Sequence, residues 1–323
     1  MIEDTSPQVL LSNQFASFEE LAEKAVGWDF EFRQISKNYS VTTLDQILAG
    51  NLMYTHLTSG SFAIHDGATP HDMFTVCIPD RGCPEFHYAD KVIDRPVMIG
   101  IDSDKEFHLA ARPGYGMSTF SIPLSIIDEH CENYFGSTSD KLLQHRKWMI
   151  SITTEMAKKF HSLAQSISAA SQASSQLRHQ FKPIQSFESQ LLECLYDSFD
   201  HKEIRYRKFR ITARKRMLAR ALEFIGDNEN EPLNVQSLVE AVGTSERTLQ
   251  RLFHHVYGIS PKKYLLGQRM YGVHRELWRS SPSEKRIVDI ANAWGFWHMG
   301  QFAADYRRLY GELPSVTLKR FTS

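Results

Sequence analysis

Arg247, Thr248, Gln250 and Arg251 stand close together at a spacing that can do recognition chemistry. If the surrounding residues form a helix, Leu249, Leu252, Phe253 and Val256 take its buried side, and these four polar residues share the opposite face. A guanidinium can donate two parallel hydrogen bonds to a guanine edge, and a carboxamide can pair with an adenine edge. That is the chemistry of base reading in a major groove. Arginine and glutamine are also commonplace on solvated helix faces. Their meaning therefore depends on the elements that hold them.

Those elements come in two copies. LVEAVGTSERTLQRLFHHVYGISP (238–261) is followed by IANAWGFWHMGQFAADYRRLYGELP (290–314). Ala241 and Gly243 correspond to Ala293 and Gly295 at an offset of 52. After one extra residue in the second turn, Phe253, Tyr257, Gly258 and Pro261 correspond to Tyr306, Tyr310, Gly311 and Pro314 at an offset of 53. A short apolar helix, a glycine turn, a polar-faced helix and Gly-x-x-Pro make up each copy. This is helix-turn-helix punctuation. In the first copy Leu238, Ala241 and Val242 should pack the first helix, Gly243 should permit a turn that a Cβ would crowd, and Ser245 should cap the second helix. In the second copy Ile287, Ile290, Ala291 and Trp294 are the apolar positions of the first helix, and Phe302, Tyr306 and Leu309 face inward from the second. The outward set there is His298, Met299, Gly300, Gln301, Ala303, Ala304 and Asp305, of which His298 and Gln301 can read bases. Ser245, Lys262, Lys263, Arg307 and Arg308 are placed for backbone phosphates.

Charge follows the same division. The chain has 37 Lys+Arg against 38 Asp+Glu, but residues 201–323 hold 22 basic and 12 acidic side chains, and residues 1–200 hold 15 and 26. One part is suited to a polyanion and the other is not. With 323 residues, two domains are expected. No apolar run approaches the ~20 residues of a membrane span. MIEDTSPQVL shows no secretory leader, and Cys77, Cys83, Cys131 and Cys194 lack C-x-x-C spacing. The reading is a cytoplasmic protein with reduced thiols.

Further along, residues 15–25 predict a short helix with Ser17 as its cap. From about 28 to 122, short alternating apolar runs separated by Gly and Pro predict many antiparallel strands, a small barrel or sandwich. Helical spacing then predicts helices over 124–135, 140–167 and 184–199, with a Ser/Ala/Gln-rich stretch at 168–176. Phe187, Leu191, Leu195 and Phe199 form one stripe, either core or a seam between two copies of the chain. A basic run leads into an amphipathic helix using Met217, Leu218, Ala221, Leu222 and Ile225. The expected division is 1–200, a linker at 201–211, and 212–323.

SERTLQRLF, IANAWGF, the spaced Phe302 and Tyr306, and YGELPS together resemble the DNA-binding domain of AraC/XylS-family transcription regulators. The resemblance covers about 212–321. It implies two helix-turn-helix units joined by one long helix at 261–280, double-stranded DNA and RNA polymerase as partners, and no enzymatic activity or cofactor. The N-terminal part resembles more loosely the cupin-like sensor domains of such regulators. That implies an α+β chain: a cupin-like β-barrel with following helices, then an all-α domain. It also implies a small-molecule effector and a possible homodimer. Phe62, Phe74, Phe86 and His87 are candidates to line its cavity. Cupin enzymes hold a metal on clustered His and Glu; His56, His65, His71, His87 and His108 are scattered, which argues against a metal site. Two other readings stay open: a DNA binder without a ligand, and a cupin-like enzyme fused to a DNA-binding domain.

Overall fold

The computed structural model describes residues 7–35, 41–88, 91–103, 106–135, 147–173, 186–200, 213–228 and 231–320. Its N-terminal part is two antiparallel sheets, as the alternating runs predict. Numbered along the chain, the strands are β1 (Gln8–Phe15), β2 (Asp29–Gln34), β3 (Thr42–Ala49), β4 (Leu52–Ser59), β5 (Ala63–Ala68), β6 (Met73–Pro79), β7 (Phe86–Tyr88), β8 (Lys91–Ile93), β9 (Val97–Ile101), β10 (Glu106–Ala111), β11 (Tyr115–Pro123) and β12 (Lys147–Ser151). The larger sheet runs β1-β3-β4-β11-β6-β9-β12, and the smaller β2-β5-β10-β7-β8. Among the described residues no strand pairs from one sheet to the other, so the expected barrel is an open sandwich.

The strand period of two sorts the side chains between layers. Cys77, Ile99, Met117 and Met149 of the larger sheet meet Phe86, Tyr88, Phe107 and Leu109 of the smaller. Their neighbours Val76, Ile78, Met98, Phe120 and Ile150 point the other way, into helices α2 (Leu124–Phe135), α3 (Thr154–Gln172) and α4 (Phe187–Asp200). The helix expected over 15–25 is α1 (Phe18–Lys24), preceded by β1, with Ser17 accepting from the Glu20 N–H at 3.3 Å.

One expectation is corrected here. The helix over 140–167 is not continuous: its described part is β12, then α3 from Thr154. Met149 and Ile150 bury into opposite clusters, which only an extended strand allows. Thr153 then starts α3 by accepting from the Met156 N–H. Of the two readings of the stripe on α4, its described residues take the core one. Phe187, Leu191 and Leu195 are buried inside this chain with Phe160, Leu163 and Ile167 of α3, so their apolar surface is already removed from water. The side chain of Phe199 lies outside the described residues.

The C-terminal part is helical: α5 (Ala213–Asp227), α6 (Val235–Val242), α7 (Glu246–Tyr257), α8 (Pro261–Arg279), α9 (Ile287–Ala293), α10 (Met299–Tyr310) and α11 (Pro314–Leu318). The expected linker at 201–211 lies outside the described residues. Helix α8 starts on the Ser260 cap with Pro261 in its first turn. Leu218, Leu238, Val242, Leu249, Leu252, Phe253 and Val256 form the core of the first unit, which continues onto Ile64 and Ala110 of the smaller sheet and Ile35 just after β2. Met270, Val273, Leu277, Ile290, Ala291, Phe302 and Tyr306 form a separate core for the second.

Candidate nucleic-acid interface

The first turn is built by backbone conformation. Asn234 caps α6, and Gly243 ends it at φ 68° in the left-handed region. A Cβ on Gly243 would meet nothing within 4 Å, so the glycine answers to φ and not to the crowding expected from the sequence. Ser245 then caps α7 through the Thr248 N–H at 3.2 Å. Leu249, Leu252, Phe253 and Val256 anchor α7 inward, which leaves Arg247, Thr248, Gln250 and Arg251 exposed together on its outer face. Gln250 is held by Glu246 at 3.0 Å, a surface bond that a base edge can replace.

Helix α5 adds a feature the sequence reading missed. Arg214 and Met217 of α5 and Thr248, Arg251, Leu252, His254 and His255 of α7 enclose a cleft of about 530 Å³. Arg214 reaches His255 at 3.2 Å, and Arg220 donates to the Ala241 carbonyl at 3.0 Å. Arg214, Arg216 and Arg220 are exposed, Arg216 and Arg220 on the side of α5 away from Leu218, Ala221 and Ile225. The signal was available: this basic helix face continues the run that sequence reading treated as a link. Lys262 and Lys263 are exposed in the first turn of α8.

The second unit is built differently. Trp294 ends α9 and packs onto α8 over Gly272, where an added Cβ would lie 2.2 Å from its ring. Its indole N–H donates to Glu276 at 2.9 Å. Helix α10 begins at His298 without a side-chain cap bond. His298, Gly300, Gln301 and Ala304 are exposed, and Gln301 is held by Asp305 at 2.8 Å. Arg307 and Arg308 are exposed, with Arg308 paired to Asp305. The outer face of α7 thus carries long hydrogen-bonding side chains where α10 carries Gly300 and Ala304.

The seam between the two parts grips both units at the far ends of their second helices. Tyr257, at the end of α7, meets the His108 ring edge-on at 5.2 Å between centroids, and the Arg33 guanidinium lies 5.9 Å from the centre of the Tyr264 ring. Arg33 and His108 both pair with Asp66. At the end of α10, the Gln34 amide donates to the Leu309 carbonyl at 2.6 Å. Glu19 of α1 pairs with the buried His274 of α8 at 3.0 Å, and Glu23 accepts from the Trp278 indole at 3.0 Å. His274 also bonds the Tyr306 hydroxyl and stacks on Tyr310 at 3.9 Å. Burial pushes the Glu19 carboxyl up, but the charge and hydrogen bond of His274 outweigh it and hold the group below its ordinary value. A cavity of about 230 Å³ lies beside this pair, lined by α1, β2, His274, Tyr310 and Arg320.

The four candidate cavity residues are not brought together. Phe74 packs under α3, Phe86 lies between the sheets, and Phe62 packs against the first helix-turn-helix core. His87 is buried, and burial and the nearby Arg112 lower its pKa. The scattered histidines find separate partners. His56 pairs with Asp80 at 2.8 Å, and His65 is sealed in the core, where burial pushes it down to about 3.

Two helix pairs, each with its second helix exposed and ended by a left-handed glycine, joined by one long helix, define a double helix-turn-helix domain. Residues 238–320 match the family model described as a helix-turn-helix domain. The C-terminal third of the chain belongs to the AraC/XylS family. It is 33% identical over 99 residues to the probable thc operon regulatory protein of Rhodococcus erythropolis, and 35% identical over 101 residues to the XylDLEGF operon transcriptional activator of Pseudomonas putida. Each match covers 31% of this chain, and 30% and 32% of those relatives' own lengths. A transcriptional regulator of Chromobacterium violaceum with an AraC-type DNA-binding domain aligns at 30% identity over 33% of this chain and 92% of that one, with a TM-score of 0.31.

Proposed function

We propose that this chain is a sequence-specific DNA-binding transcription regulator whose N-terminal part senses a small molecule. The observation that carries the reading is the exposed row Arg247, Thr248, Gln250 and Arg251 on α7, in a unit that the same domain repeats. Helices α7 and α10 enter adjacent major grooves, about one turn or ~34 Å apart. Base reading is concentrated in α7, with His298 and Gln301 contributing from α10. Ser245, Lys262, Lys263, Arg307 and Arg308 hold phosphates, joined by Arg214, Arg216 and Arg220 of α5.

Control passes through the seam. A ligand changes DNA occupancy only if it binds one arrangement of the two parts better than another. A compound in the cavity beside Glu19 and His274 would touch α1 and α8 together. RNA polymerase is the expected partner, by analogy with relatives named as transcriptional activators. Pairing of two copies would use a surface other than the buried stripe of α4.

The test is selection of duplexes from a random pool by the full chain, then titration of the selected and a scrambled duplex. The reading expects tighter binding to the selected duplex by ~10³-fold or more. Equal affinity for both would remove sequence-specific regulation and leave a general DNA binder.

A further inference from the structure

Trp297 is 69% exposed, more than any other large apolar side chain among the described residues. Among the described residues no hydrogen bond, ring contact or core cluster takes it up. Trp294, three residues earlier, is 6% exposed, packs over Gly272 and bonds Glu276. Trp297 stands immediately before His298, where α10 begins. In the duplicated pattern it occupies the place of Thr244, just ahead of the cap of the base-reading helix. The start of a recognition helix is the part that meets base edges.

The face it adjoins is short of readers. Gly300 has nothing within 4 Å of where a Cβ would stand, so no internal contact requires a glycine there. Ala304 is exposed, and Gln301 is bonded to Asp305. Small residues let the helix backbone approach a groove floor closely. An indole is a wide apolar plate, and the major groove offers it one apolar feature, the C5-methyl of thymine.

We propose that Trp297 is a specificity-determining residue that recognises a thymine methyl in the half-site of the second helix-turn-helix unit. The inference rests on the DNA-binding reading above. It assigns this unit a base preference made by apolar contact in place of the paired hydrogen bonds available to α7. A second copy of the chain is the rival occupant, and the experiment separates the two.

The probe is the duplex selected by the full chain, made in parallel with each thymine of the second half-site replaced singly by uracil, which removes only the methyl. At one position the wild type should lose about 5-fold in affinity, the size of one good apolar contact. W297A should lose a similar factor on the thymine duplex and become indifferent to uracil at that position, and W297F should recover part of the loss. Circular dichroism of W297A should match the wild type, because the side chain touches no core. If W297A binds the thymine duplex like the wild type, or loses affinity but stays equally sensitive to uracil at every position, the proposal falls while DNA binding stands. A W297A protein that differs from the wild type only in self-association by sedimentation also overturns it. A wild type that selects no duplex fails the functional reading itself, and this inference with it.

Discussion

Replacing Glu19 with Ala should reveal how the N-terminal part holds the helix-turn-helix part. Glu19 and His274 meet at 3.0 Å, with side chains 13% and 4% exposed. Truncating Glu19 leaves His274 buried with its bond to the Tyr306 hydroxyl but without its carboxylate partner. It also removes the carboxylate that accepts from Ser17 at 2.9 Å. Breaking one side of a buried pair costs ~3–5 kcal/mol, and Glu19, 13% exposed, sits at the wetter edge of that class, so ~3 kcal/mol is expected. E19Q keeps the shape and an acceptor and should cost about 1 kcal/mol. Because Glu19 lies in the N-terminal part and His274 in the helix-turn-helix part, the loss should fall on the contact between them. Calorimetry of E19A should split the unfolding transition or move its first part down by several degrees. The double variant E19A/H274A should cost less than the sum of the singles, by ~1–3 kcal/mol.

The pH dependence has a fixed sign. The folded carboxyl lies below its ordinary 4.5, so the unfolded chain binds more protons in that range. Glu19's contribution is complete above that value and is lost as pH falls through the folded one. The gap between wild type and E19Q should therefore be steady above about pH 5 and narrow below it. A gap that stays constant down to pH 3, or an E19A midpoint within about 1 °C of wild type, would refute the buried-pair argument.

Arg251→Ala should cost ~1–3 kcal/mol on the selected duplex and little on random DNA, because the lost bond is to a base edge. Equal losses on both would make Arg251 a phosphate contact. Arg307→Ala should weaken all sequences alike and reduce the salt slope by ~0.9. Arg308→Ala should reduce it less, since Asp305 already occupies that guanidinium; titrations at several salt concentrations compare the two. Gly272→Ala should destabilise the second unit by ~1–3 kcal/mol, because its Cβ would stand 2.2 Å from the Trp294 ring. Urea unfolding reads that loss, and an unchanged midpoint would mean that the ring can move aside freely.

The sequence by itself determined what is local and periodic. The 3.6-residue spacing around Leu249, Leu252, Phe253 and Val256, with Ser245 at the cap, fixed α7 and its outer row, because helix geometry forces those residues apart. Gly243, Gly258 and Gly311 sit at left-handed backbone positions where the pattern needed stops. The alternation through 28–122 fixed strands but not their closure, since a period of two says which face is apolar and not which edge pairs. The strand at Lys147–Ser151 was hidden because its five residues flank a strongly helical run, and only pairing with β9 draws them out. The stripe on α4 was legible as apolar, but its partner was not. A self-contained core and a seam between copies need the same residues, and the answer depended on where α3 folds back.

Only the tertiary structure decided the seam. Glu19 meets His274, Glu23 meets Trp278 and Gln34 meets the Leu309 carbonyl across 255 residues or more of chain. No periodicity links positions so far apart. Their pairing follows from α1 and the end of β2 closing on α8 and α10, and burial then makes each unpaired polar group costly enough to need its partner.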